Sequence, residues 1–146
     1  MIALQKSILI DRAKEDVFSF VSNYKNDPKW RTGVIEMNQE PLKTKIGTIT
    51  NETVRFLGFK IIFPAEITEY YNNFKVSFRT TAGPFESFGF REVMPEEGWT
   101  NFTYSLSSNL KGIYKIFSLF LQRIYNRRME KDLKKLKAIL EAGEYN

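Results

Sequence analysis

The chain has 146 residues, of which 42% are apolar, 27% charged and 15% aromatic, with 13 Phe, 7 Tyr, 2 Trp and a formal net charge of +5. That length predicts a single domain over residues 1–146, and that composition predicts a packed core rather than a disordered chain. Cys and His are both absent, which excludes disulfides, zinc and iron–sulfur sites, thiol nucleophiles and His-based acid–base catalysis. No metal and no cofactor is expected, and any chemistry falls to Asp, Glu, Lys, Arg, Tyr, or Ser and Thr.

The first segment, residues 2–10 (IALQKSILI), predicts a strand. Asp11 is placed to cap the helix predicted over residues 13–23, whose Val17, Phe18 and Val21 make one apolar face. Glu15 and Asp16 sit in its first turn, where the helix dipole favours carboxylates. A second short helix fits residues 27–31, with Pro28 in its first turn and Trp30 as an apolar anchor. The period then changes to two. Strands are predicted over residues 33–41, 47–56, 59–70, 74–81, 85–94 and 100–108, divided by Gly, Asn or Pro turns short enough to make them antiparallel neighbours. A long helix is predicted over residues 113–142, about 45 Å at 1.5 Å per residue, with Gly143 as its C-cap.

Residues 1–110 hold thirteen basic and thirteen acidic side chains, so the whole positive excess lies on residues 111–146. The longest apolar stretch, residues 113–124, is interrupted by Lys115, Ser118, Gln122 and Arg123, far short of the roughly 20 apolar residues of a membrane span. The N-terminus lacks the pattern of a secretory signal. The chain reads as soluble and cytoplasmic.

The opening strand, AKEDVFSFVSNYKNDPKW, ITEYYNNFKVSFRTTAGPF and EEGWTNFTYSL, followed by a long terminal helix, together resemble the START-like (SRPBCC) superfamily. That group includes lipid-transfer domains, polyketide cyclase/dehydrases and plant pathogenesis-related allergens. The resemblance covers essentially the whole chain. It implies an α+β helix-grip fold: a seven-stranded curved antiparallel sheet, two short helices after the first strand, and one long C-terminal helix. It also implies a cavity for a hydrophobic ligand between sheet and helix.

Alternation supplies candidate lining residues. Ile61, Phe63 and Ala65 share one face of their strand, as do Val76 and Phe78, and as do Phe102 and Tyr104. Phe88 and Phe90 share a face with Glu86 and Glu92, which leaves the orientation of that strand open. From the helix come Ile113, Phe117, Phe120 and Ile124. A filled core is the competing reading of the same aromatics.

On the C-terminal helix, Tyr114, Leu121, Tyr125, Met129, Leu133, Leu136 and Leu140 form one stripe at about 100° per residue, expected to pack on the sheet. A second side changes from apolar to basic, ending in Arg127, Arg128, Lys131, Lys134 and Lys135. Three explanations stand: the apolar half is buried over the cavity mouth, the helix breaks near residues 122–126, or this side contacts an anionic membrane or a partner protein. Nucleic acid is disfavoured, because the remaining chain is charge-neutral. The apolar FLGFKIIF stretch is expected to be covered by the entry helices, with an edge for a partner as the alternative.

Binding, and with it transport, of a lipid, isoprenoid or polyketide-like molecule is the leading function. Alternatives are a cyclase/dehydrase-like enzyme on the same cavity, drawing on Glu66, Glu69, Arg79, Glu86, Arg91, Glu92, Tyr70 or Tyr104, and an interaction module using the basic helix. No spacing among those residues compels catalysis.

Overall fold

Two-residue turns join the strand Ile49–Phe56 to the strand Phe59–Tyr71, and the strand Glu86–Glu96 to the strand Trp99–Asn109. At one of them Leu57 and Gly58 have φ of 50° and 84°, and at another Glu97 and Gly98 have 47° and 85°, the paired positive values that join twisted antiparallel strands without splaying them. The computed structural model describes residues 1–143. In chain order these form β1 (Ile2–Ile10), α1 (Lys14–Val21), a 3₁₀ turn (Tyr24–Asn26), α2 (Asp27–Trp30), β2 (Val34–Glu40), β3 (Ile49–Phe56), β4 (Phe59–Tyr71), β5 (Lys75–Thr80), β6 (Glu86–Glu96), β7 (Trp99–Asn109), α3 (Ile113–Ile116) and α4 (Ser118–Ala142).

All strands lie in one antiparallel sheet ordered β1-β7-β6-β5-β4-β3-β2. Register shifts at Val34/Glu36 and at Ile67/Glu69 add bend and twist, and the sheet curls. Gly89 marks its tightest point, because a Cβ there would meet the Ser105 carbonyl oxygen of β7 well inside van der Waals contact. This is the α+β helix-grip fold.

The concave face holds the core. Phe18 and Trp30 from the short helices pack with Ile10, Val93 and Phe102, all 2% exposed or less. From α4, the buried side chains Leu121, Met129, Leu133, Leu136 and Leu140 face the sheet, each worth about 1.5–3 kcal/mol on burial. The C-terminal end of α4 is clasped to β1: Arg12 Nε donates to Leu140 O at 2.7 Å, Lys137 Nζ to Leu9 O at 2.6 Å, and the Asp11 amide to Glu141 Oε2 at 2.8 Å. Asp11 caps no helix: the N-cap position of α1 falls two residues later, on Ala13, and no side chain caps it.

The terminal helix is not continuous. It breaks at Phe117 (φ −97°, ψ 19°), upstream of residues 122–126. The short α3 has no fully buried side chain, and half-buried Tyr114 is its contact with the core. Gly143 ends α4 in the left-handed conformation, its amide donating to Leu140 O at 3.1 Å.

Candidate functional site

Strand parity decides which polar groups enter the concave side. On β6, Ser87 and Arg91 line the interior, while Glu86, Phe88, Phe90 and Glu92 face outward. Outside, Arg79 pairs with Glu86 and lies 4.9 Å over the Phe88 ring, and Lys75 lies 4.6 Å over Phe90. The strand whose orientation alternation leaves open thus sends its arginine in and its phenylalanines out, with cations over the half-buried rings.

Arg91, 1% exposed, is the largest charged group in the interior. Its Nη1 and Nη2 donate to Asp27 Oδ1 and Oδ2 at 2.8 and 2.6 Å, and Nη1 also reaches Val21 O at 2.8 Å. Asp27, at the start of α2, accepts a further bond from Arg31 Nη1 at 3.0 Å. Arg31 Nη1 lies 2.6 Å from Glu52 Oε1 on β3, which accepts no aligned hydrogen bond. Two guanidinium groups and two carboxylates therefore balance in the interior. The Arg91 guanidinium stands 4.0 Å from the Tyr24 ring centre and 5.4 Å from that of Tyr104. Burial opposes the charge on both arginines, yet Asp27 holds Arg91, and Glu52 first of all holds Arg31, above the ordinary guanidinium range. Burial pushes the Tyr24 and Tyr104 hydroxyls up, with the arginines pulling back. Both phenols are neutral donors at physiological pH.

These groups border a cavity of about 80 Å³ between the sheet and α4, room for a few waters. On its wall, the Tyr24 hydroxyl and Arg128 Nη1 are buried without a hydrogen-bond partner. One turn along α4 from Arg128, Asp132 accepts from the Thr32 amide at 2.9 Å and from Thr32 Oγ1 at 2.5 Å, tying the loop after α2 to the helix. Farther out, a groove of about 320 Å³ lies between the β3–β4 hairpin and the α3–α4 junction, lined by apolar and aromatic side chains. Two ring pairs stand between these spaces. Phe56 of the groove stacks on Tyr125 of the cavity at 5.7 Å and 4°, and Tyr114 of the groove meets Phe85 of the cavity edge-on at 5.1 Å.

The sequence-selected residues divide between these places. Phe63, Ala65, Phe78 and Tyr104 line the cavity, and Ile61, Ile113, Phe117 and Phe120 line the groove. Val76 packs beside Tyr24 and Ile67, Phe102 lies under Trp30, and half-buried Ile124 packs on the core. Phe88 and Phe90 lie on the outer sheet face. Of the basic set, Arg127, Lys131, Lys134 and Lys135 are exposed. Arg128 turns inward instead, 5.1 Å from the Phe56 ring centre. Two coverings also differ from expectation. Ile113, Ile116, Phe117 and Phe120 of the apolar helix half are 52–78% exposed, and so are Leu57, Phe59 and Ile62 of FLGFKIIF at 58–73%. The short helices pack chiefly against β6, β7 and the edge strand β2 rather than on this hairpin. Of the acid–base candidates, Glu66 and Arg79 are exposed, and Glu69 accepts from Ser77 at 2.8 Å. Sequence reasoning missed Tyr24, Asp27, Arg31, Glu52 and Asp132. For Glu52 a signal existed, because it alternates with Thr50, Val54 and Phe56 on the inward side of β3.

A curved sheet gripping a helix over a partly polar hollow defines the START-like class. The family profile described as "Polyketide cyclase / dehydrase and lipid transport" matches residues 1–141, and the chain belongs to that family. Similar solved structures include TTHA0849 from Thermus thermophilus (TM-score 0.83, 17% identity, covering 97% of this chain and 98% of that one). A START superfamily protein from Mycobacterium smegmatis is also similar (0.70, 14% identity, 99% and 97%). So is the di-domain ARO/CYC StfQ from the steffimycin biosynthetic pathway (0.77, 11% identity, 98% of this chain and 51% of that one). At such identities the likeness is one of fold. No curated protein matches the sequence significantly. Among the described residues no helix is long and apolar enough to cross a membrane.

Proposed function

We propose that this chain works as one START-like domain that binds, and carries, a hydrophobic small molecule of lipid, isoprenoid or polyketide type. The polar end of the ligand lies in the cavity beside Tyr24 and Arg128, and its apolar body extends into the groove. The observation that carries this reading is the pair of buried, unpartnered donors, the Tyr24 hydroxyl and Arg128 Nη1, on residues that line a hollow parted from an apolar groove by two ring pairs. A buried donor without a partner costs about 1–3 kcal/mol, and a ligand oxygen removes that cost. The groove alone falls within the usual size of small-molecule sites, about 300–1,000 Å³.

Native mass spectrometry of the purified protein tests the proposal, first as isolated and then after incubation with fatty acids and prenols. A retained mass of a few hundred daltons is expected, on the order of a drug-sized ligand. Tyr24→Phe should lower retention about 3–10-fold, the range of one neutral hydrogen bond, with the melting temperature unchanged or higher. No ligand as isolated and none taken up would refute it.

A second reading shares the site. Cations held ionised beside neutral phenols can polarise a carbonyl as charge develops on its oxygen, which favours a cyclase/dehydrase-like activity. A polyketide-like compound recovered either lighter by one water or cyclised at unchanged mass, read by its ultraviolet spectrum, would establish it, and one recovered chemically unchanged would leave the carrier.

A further inference from the structure

We infer that the end of the molecule formed by the β3–β4 hairpin and the α3–α4 junction docks on the surface of an anionic lipid bilayer. The two segments face each other across the groove, so their exposed apolar side chains make one surface. Leu57 is 65% and Phe59 73% exposed on the hairpin, while Ile116 is 78% and Leu119 76% exposed on the helices. A solvent-facing role accounts poorly for a group of this size.

Leu57 sharpens the point. Its φ of 50° is the region that turns usually fill with Gly, Asn or Asp, and a leucine there carries a conformational cost of about 1–2 kcal/mol. That cost brings no burial in return within the chain itself.

Charge selects the occupant. Residues 53–65 contain Arg55 and Lys60, and residues 110–129 contain Lys111, Lys115, Arg123, Arg127 and Arg128, with no Asp or Glu in either segment. All but Arg128 are exposed. An apolar tip whose two segments carry cations and no carboxylate matches the boundary between anionic headgroups and acyl chains. It does not match a second copy of this chain, which would bring the same cations face to face. The opposite end of α4 is clasped to β1, whereas α3 has no fully buried side chain, so the docking end is also the one least held by the core. The groove mouth opens on this surface, and a bilayer-derived ligand would reach it without crossing water.

Cosedimentation tests the inference with vesicles of phosphatidylcholine alone and of phosphatidylcholine mixed with phosphatidylglycerol, at low and at high salt. Binding is expected to the mixed vesicles only and to weaken with salt. Lys60→Gln with Lys115→Gln should weaken it about 30-fold, at roughly a factor of five per cation. Ile116→Ser with Leu119→Ser should abolish insertion. Neither pair lines the groove, so ligand retention by native mass spectrometry separates a failed docking surface from a failed carrier. Wild-type protein that stays in the supernatant with anionic vesicles at low salt overturns the inference. So does equal binding to neutral vesicles, or a dimer in the ultracentrifuge that the Ile116/Leu119 pair of substitutions dissolves.

Discussion

Removing the Arg91 guanidinium tests the framework on which the cavity depends. Arg91 joins β6 to both short helices, through two bonds to Asp27 and one to Val21 O, all at 2.6–2.8 Å. Neither partner of the ion pair is more than 1% exposed. In Arg91→Met, Asp27 keeps only its bond from Arg31 at 3.0 Å, and a buried carboxylate loses its bidentate partner. Breaking a buried pair in this way costs about 3–5 kcal/mol, a large share of the roughly 5–15 kcal/mol that holds a domain folded. At about 3–4 °C per kcal/mol for a chain of this size, the melting temperature should fall by about 10–20 °C. Urea unfolding of wild type, Arg91→Met, Asp27→Asn and the double variant gives the coupling energy, expected at about 2 kcal/mol or more. Arg91→Lys keeps the charge but loses the planar fork, and should fall between wild type and Arg91→Met. A coupling below about 0.5 kcal/mol, within the additivity of independent sites, would refute the reasoning.

Gly89→Ala should cost more than about 3 kcal/mol or prevent folding, because the added Cβ meets backbone rather than a movable side chain. Gly47→Ala, in open space at φ 87°, should cost only about 1–2 kcal/mol, and equal losses in urea would contradict the close-approach argument. Asp132 tests the helix tie: burial holds its carboxyl above the ordinary range, against the two bonds from Thr32. Folding thus favours its protonated form, so stability drops as pH rises from about 4, the unfolded value, through the higher folded value, and stays lower above it. Asp132→Asn should flatten that part of a melting-temperature profile and leave stability at neutral pH equal or higher; an unchanged slope would refute the assignment.

The strands were legible because period-two alternation and turn residues report backbone geometry directly. The core stripe of α4 was legible for the same kind of reason. Alternation states which side chains share a face, however, and not which face is concave. On β6 the apolar pair Phe88 and Phe90 argued for turning inward, and the choice went instead to Arg91, whose partner Asp27 is remote in sequence. A charge that finds a bidentate partner inside outweighs two phenylalanines that cations can cover outside. The exposed α3 was illegible for a complementary reason. An apolar helical stripe reads as buried whether its cover is part of the chain or something the chain meets.

The two hollows must join before a ligand can reach both the apolar groove and the buried donors, and the structure sets the size of that barrier. The Phe56–Tyr125 and Phe85–Tyr114 pairs each join a ring of the groove to a ring of the cavity. Such pairs hold together with about 0.5–1.5 kcal/mol each beyond area burial. Parting both therefore costs roughly 1–3 kcal/mol in ring geometry, besides the apolar area it exposes at about 25 cal/mol per Å². A ligand recovers that energy by burying a few methylene groups, at about 0.8 kcal/mol each. Tyr114 belongs to α3, which has no fully buried side chain, whereas Tyr125 belongs to α4, whose far end is clasped to β1. The break at Phe117 lies between them, so α3 is the element able to swing with least loss of packing. Opening from that side would join cavity and groove while the polar cluster around Arg91 stays in place, ready to receive the ligand's oxygen.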